Sequence, residues 1–267
     1  MTSLVLNYFI DKYKMSQKKL DSYLNLCTQF YDLIRPHPPE DAYAFYRTYV
    51  FNADGMVLEP MCGSGRFLLP LLQENFKVTG FDASVPMLSA LHAKAKLQHL
   101  KPEVWQGFVE DLNRTQRYNL IFIPSGSFGH LIDFDLVKKA LRLFYDHLNK
   151  DGILLFEAET SKIVPDQLGV WRGLVCHKPD GNLILVNRLT TYEDSVCYSI
   201  DRYELVDRGQ IVQTEVEVFN VRLYDDPLVL IDILKEIGFR EIKMIKAFDR
   251  SINPDDGDSS IVYECRK

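Results

Sequence analysis

The chain lacks several things that would mark it for a particular task, and each absence narrows the field. Its five cysteines (Cys27, Cys62, Cys176, Cys197 and Cys265) contain no Cys-x-x-Cys pair and are odd in number. That excludes a zinc ribbon and argues against a disulfide frame, so reduced thiols and a cytoplasmic location are expected. The six histidines show no metal-ligand spacing, and no metal site is expected. Lys and Arg never run beyond two in succession, as at Lys18-Lys19, and the formal charge is -6. A phosphate backbone is therefore not an expected partner. The N-terminal apolar run Leu4 to Ile10 ends at Asp11 and Lys12, too short for an export signal or a membrane span, so no membrane partner is expected.

What is present is an ordinary globular composition, 46% hydrophobic and 25% charged, enough for a sizeable core. The organising stretch is MVLEPMCGSGRFLLPLL, residues 56 to 72. An apolar strand, Met56 to Leu58, ends in an acid, Glu59; Gly63 and Gly65 form a Gly-x-Gly turn; an apolar helix opens at Arg66 and runs to about Asn75 with Pro70 near its start. In α/β proteins this order of elements holds nucleotides, because glycine lets the backbone approach a ligand and the helix start offers unpaired N–H groups. A dinucleotide fingerprint needs a third glycine where Leu68 stands, and Glu59 would repel a pyrophosphate. A carboxylate at that strand tip suits an ammonium or sulfonium, and S-adenosylmethionine carries both.

The stretch resembles motif I of class I SAM-dependent methyltransferases, an acidic residue followed by x-Gly-x-Gly-x-Gly. Glu59, Gly63 and Gly65 fall on that pattern, with Met61 in the place of the usual first glycine. The resemblance extends over roughly residues 31 to 165 and more loosely to the C-terminus. It implies a Rossmann-like, doubly wound seven-stranded sheet in the order 3-2-1-4-5-7-6, S-adenosylmethionine as cofactor and S-adenosylhomocysteine as product.

Residues 1 to 35 read as an amphipathic helix, with Leu20, Tyr23, Leu24, Cys27, Phe30, Tyr31 and Ile34 near one stripe, stopped by Pro36, Pro38 and Pro39. By the resemblance this segment covers the cofactor, with Tyr31 reaching it and Arg35 pairing with its carboxylate. A second strand, Lys77 to Phe81, ends in Asp82, about 20 positions past the glycine turn, where an acid accepts from both ribose hydroxyls. Ala83 to Met87 resembles the segment that covers the adenine, with Ala83 and Met87 as candidates. The third strand, Val104 to Val109, leads to the corner that reads the adenine edge. There Phe108 packs or stacks, Val109 offers backbone, and either Glu110 or Asp111 supplies the acceptor.

The fourth strand, Tyr118 to Pro124, is apolar throughout and runs into SGSFGHL, residues 125 to 131. Pro124 and Ser125 fall on the cofactor side by the resemblance. The stretch has neither the Asn-Pro-Pro-Tyr of enzymes that clamp a planar amide nor the aspartate of the magnesium-dependent catechol type. It resembles metal-independent enzymes acting on small molecules, which puts Ser127, Phe128 and His130 on the acceptor side. His130 is a candidate general base, with backbone bonding or pocket lining as its other reading.

An amphipathic helix, Val137 to Leu148, and the turn Lys150-Asp151-Gly152 precede a fifth strand, ILLFEAE. There Glu157 and Glu159 share one face, where they either border the pocket mouth or are simply solvated. From about Asp166 the period changes to two, giving strands Trp171 to His177, Leu183 to Tyr192, Val196 to Val206 and Ile211 to Tyr224 between hairpin signals. Their aromatics and arginines either floor an acceptor site or pack the sheet itself. Asp226-Pro227 then opens a helix that Gly238 closes, and strands Glu241 to Phe248 and Ser260 to Glu264 complete the sheet.

The expected organisation is a helical cover over 1–50, a core over 51–165 and 226–267, and an inserted antiparallel β subdomain over 166–225. The expected activity is methyl transfer to oxygen or nitrogen, or to carbon, of a small-molecule acceptor, by a monomer or a homodimer. An enzyme that builds a modified SAM, or a non-catalytic subunit with a SAM-type fold, would share the cofactor motifs.

Overall fold

The computed structural model of the chain describes residues 20–267. The opening of the helix expected over 1–35, the Leu4 to Ile10 run and the start of the cover expected over 1–50 lie outside the described residues. Among the described residues two helices come first, α1 (Asn25–Ile34) and α2 (Glu40–Asn52). Then β1 (Val57–Pro60), α3 (Leu68–Gln73), β2 (Val78–Asp82), α4 (Val85–Leu97), β3 (Glu103–Gln106), β4 (Tyr118–Ile123), α5 (Phe134–His147) and β5 (Leu148–Glu159) follow in strand-helix alternation. The strands β6 (Arg172–His177), β7 (Leu183–Glu193), β8 (Val196–Asp207) and β9 (Gln210–Arg222) precede α6 (Leu228–Ile237), β10 (Arg240–Lys246) and β11 (Ser260–Arg266).

The main sheet runs β3-β2-β1-β4-β5-β11-β10, which is the expected 3-2-1-4-5-7-6 once the four inserted strands are skipped. β1 to β5 are parallel neighbours, and β11 is antiparallel to both β5 and β10. β4, apolar along its length and buried on both faces, is the middle of this sheet, as its sequence requires. Val137, Ala140, Leu141 and Phe144 of α5 pack on one face with Leu230 and Leu234 of α6. Tyr46 and Val50 of α2, Leu68 and Leu71 of α3, and Leu91 of α4 pack on the other. With both faces covered, every ligand must enter at the carboxyl ends of the parallel strands.

The inserted strands form a separate antiparallel sheet in the order β6-β7-β8-β9. Ile184, Val186 and Tyr203 of that sheet pack against Leu26, Cys27 and Phe30 of α1, so the insertion and the first helix share one apolar seam. No helix among the described residues is long and apolar enough to cross a membrane.

Four local expectations change. Among the described residues helix starts at Asn25 and 20–24 are not helical, and Tyr23 takes a left-handed φ of +55°. The reason lies far along the chain. Leu24 N–H donates to Glu217 Oε1 at 3.1 Å and Leu26 N–H to Glu215 Oε2 at 2.7 Å, so two carboxylates of β9 cap a helix that has no cap of its own. Second, α2 packs beneath the sheet, with Tyr46 5.5 Å from the Phe122 ring, and is not a cover. Third, β3 stops at Gln106, and Val109–Asp111 forms a single 3₁₀ turn rather than strand. Fourth, the helix after the glycine turn is shorter, Leu68–Gln73, with Pro70 in its first turn where a missing N–H is tolerated.

Candidate functional site

Two cavities adjoin at the carboxyl end of the main sheet. The first, about 420 Å³, falls within the roughly 300 to 1,000 Å³ of small-molecule sites. Tyr31, Glu59, Met61, Gly63, Asp82, Ala83, Met87, Phe108, Val109, Glu110, Pro124 and Ser125 line it, and Ser127 and His130 stand at its far side. These residues come from three strand ends, the α1 strap and two loops, and the fold brings them to one cavity wall. Gly65, Arg35 and Asp111 are not on its wall.

Gly65 has another task. At φ +81° it brings the turn so close to α4 that a Cβ there would lie 2.9 Å from Leu91 Cγ. Met61, which stands in the place of the pattern's usual first glycine, holds φ +57°. Asp82 stitches the site: its Oδ2 accepts from Gly63 N–H at 2.7 Å and its Oδ1 from Ser84 N–H at 2.8 Å. Ser84, and not Asp82, is the cap of α4, accepting from Met87 N–H at 3.1 Å.

The electrostatics of this cavity point to a cation. Glu59 is 2% exposed, and burial pushes its carboxyl well above the usual range although Arg66 opposes the shift. Burial also raises Asp82, against the two N–H bonds that lower it. Glu59 Oε2 and Arg66 Nε have no hydrogen-bond partner among the described residues. Two buried carboxylates thus face one arginine, and Arg66 is the only Lys or Arg on this wall among the described residues. A ligand with a sulfonium, an ammonium and a carboxylate fits this donor set, with Arg66 for the anion. That is the chemistry of S-adenosylmethionine, whereas a pyrophosphate would meet carboxylates at both strand tips.

At the junction with the second cavity, His130 Nε2 lies 3.0 Å from Tyr23 Oη and His130 Nδ1 lies 3.2 Å from the Asn220 carbonyl oxygen. A carbonyl can only accept, so Nδ1 carries the proton and the neutral ring accepts the Tyr23 O–H at Nε2. Burial lowers the His130 pKa, against the Asn220 bond that raises it, and burial raises that of Tyr23. Tyr23 is the residue that sequence reasoning missed. It looked like one more apolar position in a helical stripe, and its partner is 107 positions away.

Ser125 and Gly126 both adopt left-handed backbone, at φ +64° and +67°. Glu157 holds this loop: its Oε1 accepts from Ser125 N–H at 2.8 Å and from Tyr46 O–H at 2.6 Å. Arg66 adds a bond to Ser125 Oγ. Glu157 and Glu159 part company: the first is neither solvated nor on a cavity wall, and the second borders a cavity. Glu157 is 6% exposed under Tyr46, and Glu159 lines the second cavity.

That second cavity, about 560 Å³, lies between α1, the Ser125–His130 loop and the inserted sheet. Tyr23, Tyr31, Ser125 and His130 border both spaces. The inserted aromatics divide: Tyr203 and Phe219 line this cavity, whereas Trp171 is 52% exposed and does not.

Residues 57–152, which hold both carboxylate-tipped strands and the loop between the cavities, match the family described as "Methyltransferase domain". That stretch of the chain is a methyltransferase domain. A methyltransferase-named protein of Geobacillus sp. (strain WCH70) is 28% identical to it over 137 residues, 49% of this chain and 56% of that relative. The chain thus spans little more than half the length of that protein. Glycine/sarcosine N-methyltransferase of Aphanothece halophytica is 24% identical over 221 residues, 80% of this chain and 77% of its own. Among solved structures, an S-adenosylmethionine-dependent methyltransferase from Clostridium acetobutylicum superposes with a TM-score of 0.73 at 21% identity, covering 89% of this chain and 96% of that one. The methyltransferase domain therefore sits in a fold that recurs, over 89% of this chain, in that structure.

Proposed function

We infer that this chain transfers the methyl group of S-adenosylmethionine to a nitrogen of a small-molecule acceptor, leaving S-adenosylhomocysteine. When bound, S-adenosylmethionine supplies a sulfonium methyl that an in-line lone pair takes as the carbon–sulfur bond breaks with its electrons to sulfur. The chain's own part is to bind, align and keep water out. Glu59 and Asp82 grip the cationic and ribosyl parts, Arg66 the carboxylate, and the Ser125–His130 loop sets the boundary across which acceptor meets methyl. Holding two reactants in line is worth ~7 to 11 kcal/mol, more than one general base supplies.

The observation that favours nitrogen over oxygen is the closed Tyr23–His130–Asn220 chain. A hydroxyl acceptor needs a base for its proton as it attacks. His130 has both ring nitrogens engaged and is kept neutral by burial, so it is a poor base. An amine loses its extra proton before it attacks, so the attack itself needs no base, and the Tyr23 oxygen can accept from an amine N–H and orient it. The Aphanothece relative, named for an N-methyl transfer, agrees with this reading. The test is release of S-adenosylhomocysteine with matched amines and alcohols, such as phenethylamine and 2-phenylethanol, followed by mass spectrometry of the product. Methylation of the amines supports the reading, and methylation of the alcohols alone overturns it.

A further inference from the structure

The charges on the second cavity are unusually unpaired. Glu159 ends β5 with its carboxyl directly over the loop between the cavities: a Cβ at Gly126 would lie 2.5 Å from Glu159 Cδ and 2.7 Å from Oε1. No hydrogen bond or ion pair with a described residue holds that carboxyl, in contrast to Glu157 two residues earlier. Burial pushes the Glu159 carboxyl up to about 7, Glu157 adds to the shift, and Arg35 opposes it. On the same wall stand Arg172, Arg35 and Arg188. Arg188 is neutralised, since it is ion-paired to Asp201, which is fully buried. Among the described residues Arg172 bonds only the neutral Thr190 hydroxyl, at 3.1 Å, and Arg35 lies 5.8 Å from the Tyr31 ring centroid with no carboxylate in ion-pair reach. Among the described residues the cavity thus offers one carboxyl without an ion pair, next to the shared boundary, and two arginines without one.

We propose that the second cavity takes an acceptor carrying an amine and an anionic group on one molecule, with Glu159 receiving the ammonium and Arg172 and Arg35 the anion. This rests on the methyl-transfer reading and names its substrate class. The ammonium hands one proton to the Glu159 carboxylate, which frees the nitrogen lone pair; the N–C bond then forms, and the methylated ammonium leaves while Glu159 returns its proton to solvent. Carboxylate and phosphate would both satisfy the arginine forks, which bind planar and tetrahedral oxyanions alike. Aromatic and aliphatic walls from Phe30, Phe219 and Val186 leave room for an apolar body between the two charges.

The test uses the full chain saturated with S-adenosylhomocysteine, titrated calorimetrically with matched pairs: glycine and methylamine, L-phenylalanine and phenethylamine, glucosamine 6-phosphate and glucosamine. At least one anion-bearing member should bind about 10- to 100-fold more tightly than its partner, the worth of a charge-assisted hydrogen bond. The carboxylate and phosphate pairs separate the two anion sources. Arg172→Gln should shrink that ratio toward one, and Glu159→Gln should weaken the amines of every pair, in proteins that still bind S-adenosylhomocysteine like the wild type. Ratios near one in all three pairs overturn the proposal, even if amines are methylated and the methyl-transfer reading stands. A preference in binding without any methylation on addition of S-adenosylmethionine supports the charge assignment and overturns the methyl-transfer reading instead.

Discussion

Replacing Asp82 with asparagine separates holding the fold from holding the ligand. In the folded protein each Asp82 oxygen already accepts one backbone N–H, from Gly63 at 2.7 Å and Ser84 at 2.8 Å, and keeps a lone pair toward the first cavity. Asparagine keeps the shape but has one oxygen, so whichever way its amide turns, one of those N–H groups faces a donor. A buried donor left without an acceptor costs ~1 to 3 kcal/mol, which should lower the melting temperature of the ligand-free protein. The charge lost from the cavity removes the stronger bonds to the ribose, ~1.5 to 3 kcal/mol, or roughly 10- to 150-fold in affinity. Calorimetric titration with S-adenosylhomocysteine reads the second effect and a thermal scan the first. A variant that melts lower but binds like the wild type would show that Asp82 only stitches the turn. One unchanged in both respects would refute the reasoning altogether.

Other substitutions probe the junction and the strap. His130→Gln should leave the acidic limb of the pH–rate profile in place, because the ring is not the base; loss of that limb would reinstate it as one. Gly126→Ala puts a Cβ against the Glu159 carboxyl at φ +67°, so it should lower stability by ~1 to 2 kcal/mol and kcat/KM for the acceptor, while S-adenosylhomocysteine still binds; full activity would mean the loop yields freely. Burial pushes Glu217 from its ordinary 4.5 up to about 7, against the Leu24 and Tyr23 N–H bonds that lower it. A raised carboxyl contributes stability that is complete below its ordinary value and is lost as pH rises through about 7. The melting temperature should therefore fall between pH 5 and 8, and Glu217→Gln should flatten part of that fall; an identical slope in the variant would count against it.

The sequence carried the frame of this molecule and much less of its site chemistry. Period and turn signals marked the four inserted strands closely, because alternation is local and Asp180-Gly181 and Gly209-Gln210 announce their own hairpins. The glycine turn and Asp82 were legible because motif, strand and helix stand next to one another in the chain. What stayed hidden depends on contacts between distant residues. The stripe through Tyr23 is helical in pattern, yet the helix begins later because Glu217 and Glu215 cap it from 193 and 189 positions away. Glu157 looked solvated because nothing near it in sequence reveals Tyr46, 111 positions earlier. Arg66 could have been noticed: a cation directly after the glycine turn, beside an acid two elements share, was in plain view.

The central claim is that two carboxylate-tipped strands make a cleft for a sulfonium nucleoside and not for a phosphorylated one. Titrating the wild-type chain with S-adenosylmethionine, then with ATP and NAD as competitors, tests it most directly. Saturable binding of S-adenosylmethionine that neither competitor displaces is the expected result. Binding of ATP or NAD in its place, or no uptake of S-adenosylmethionine at all, would contradict it.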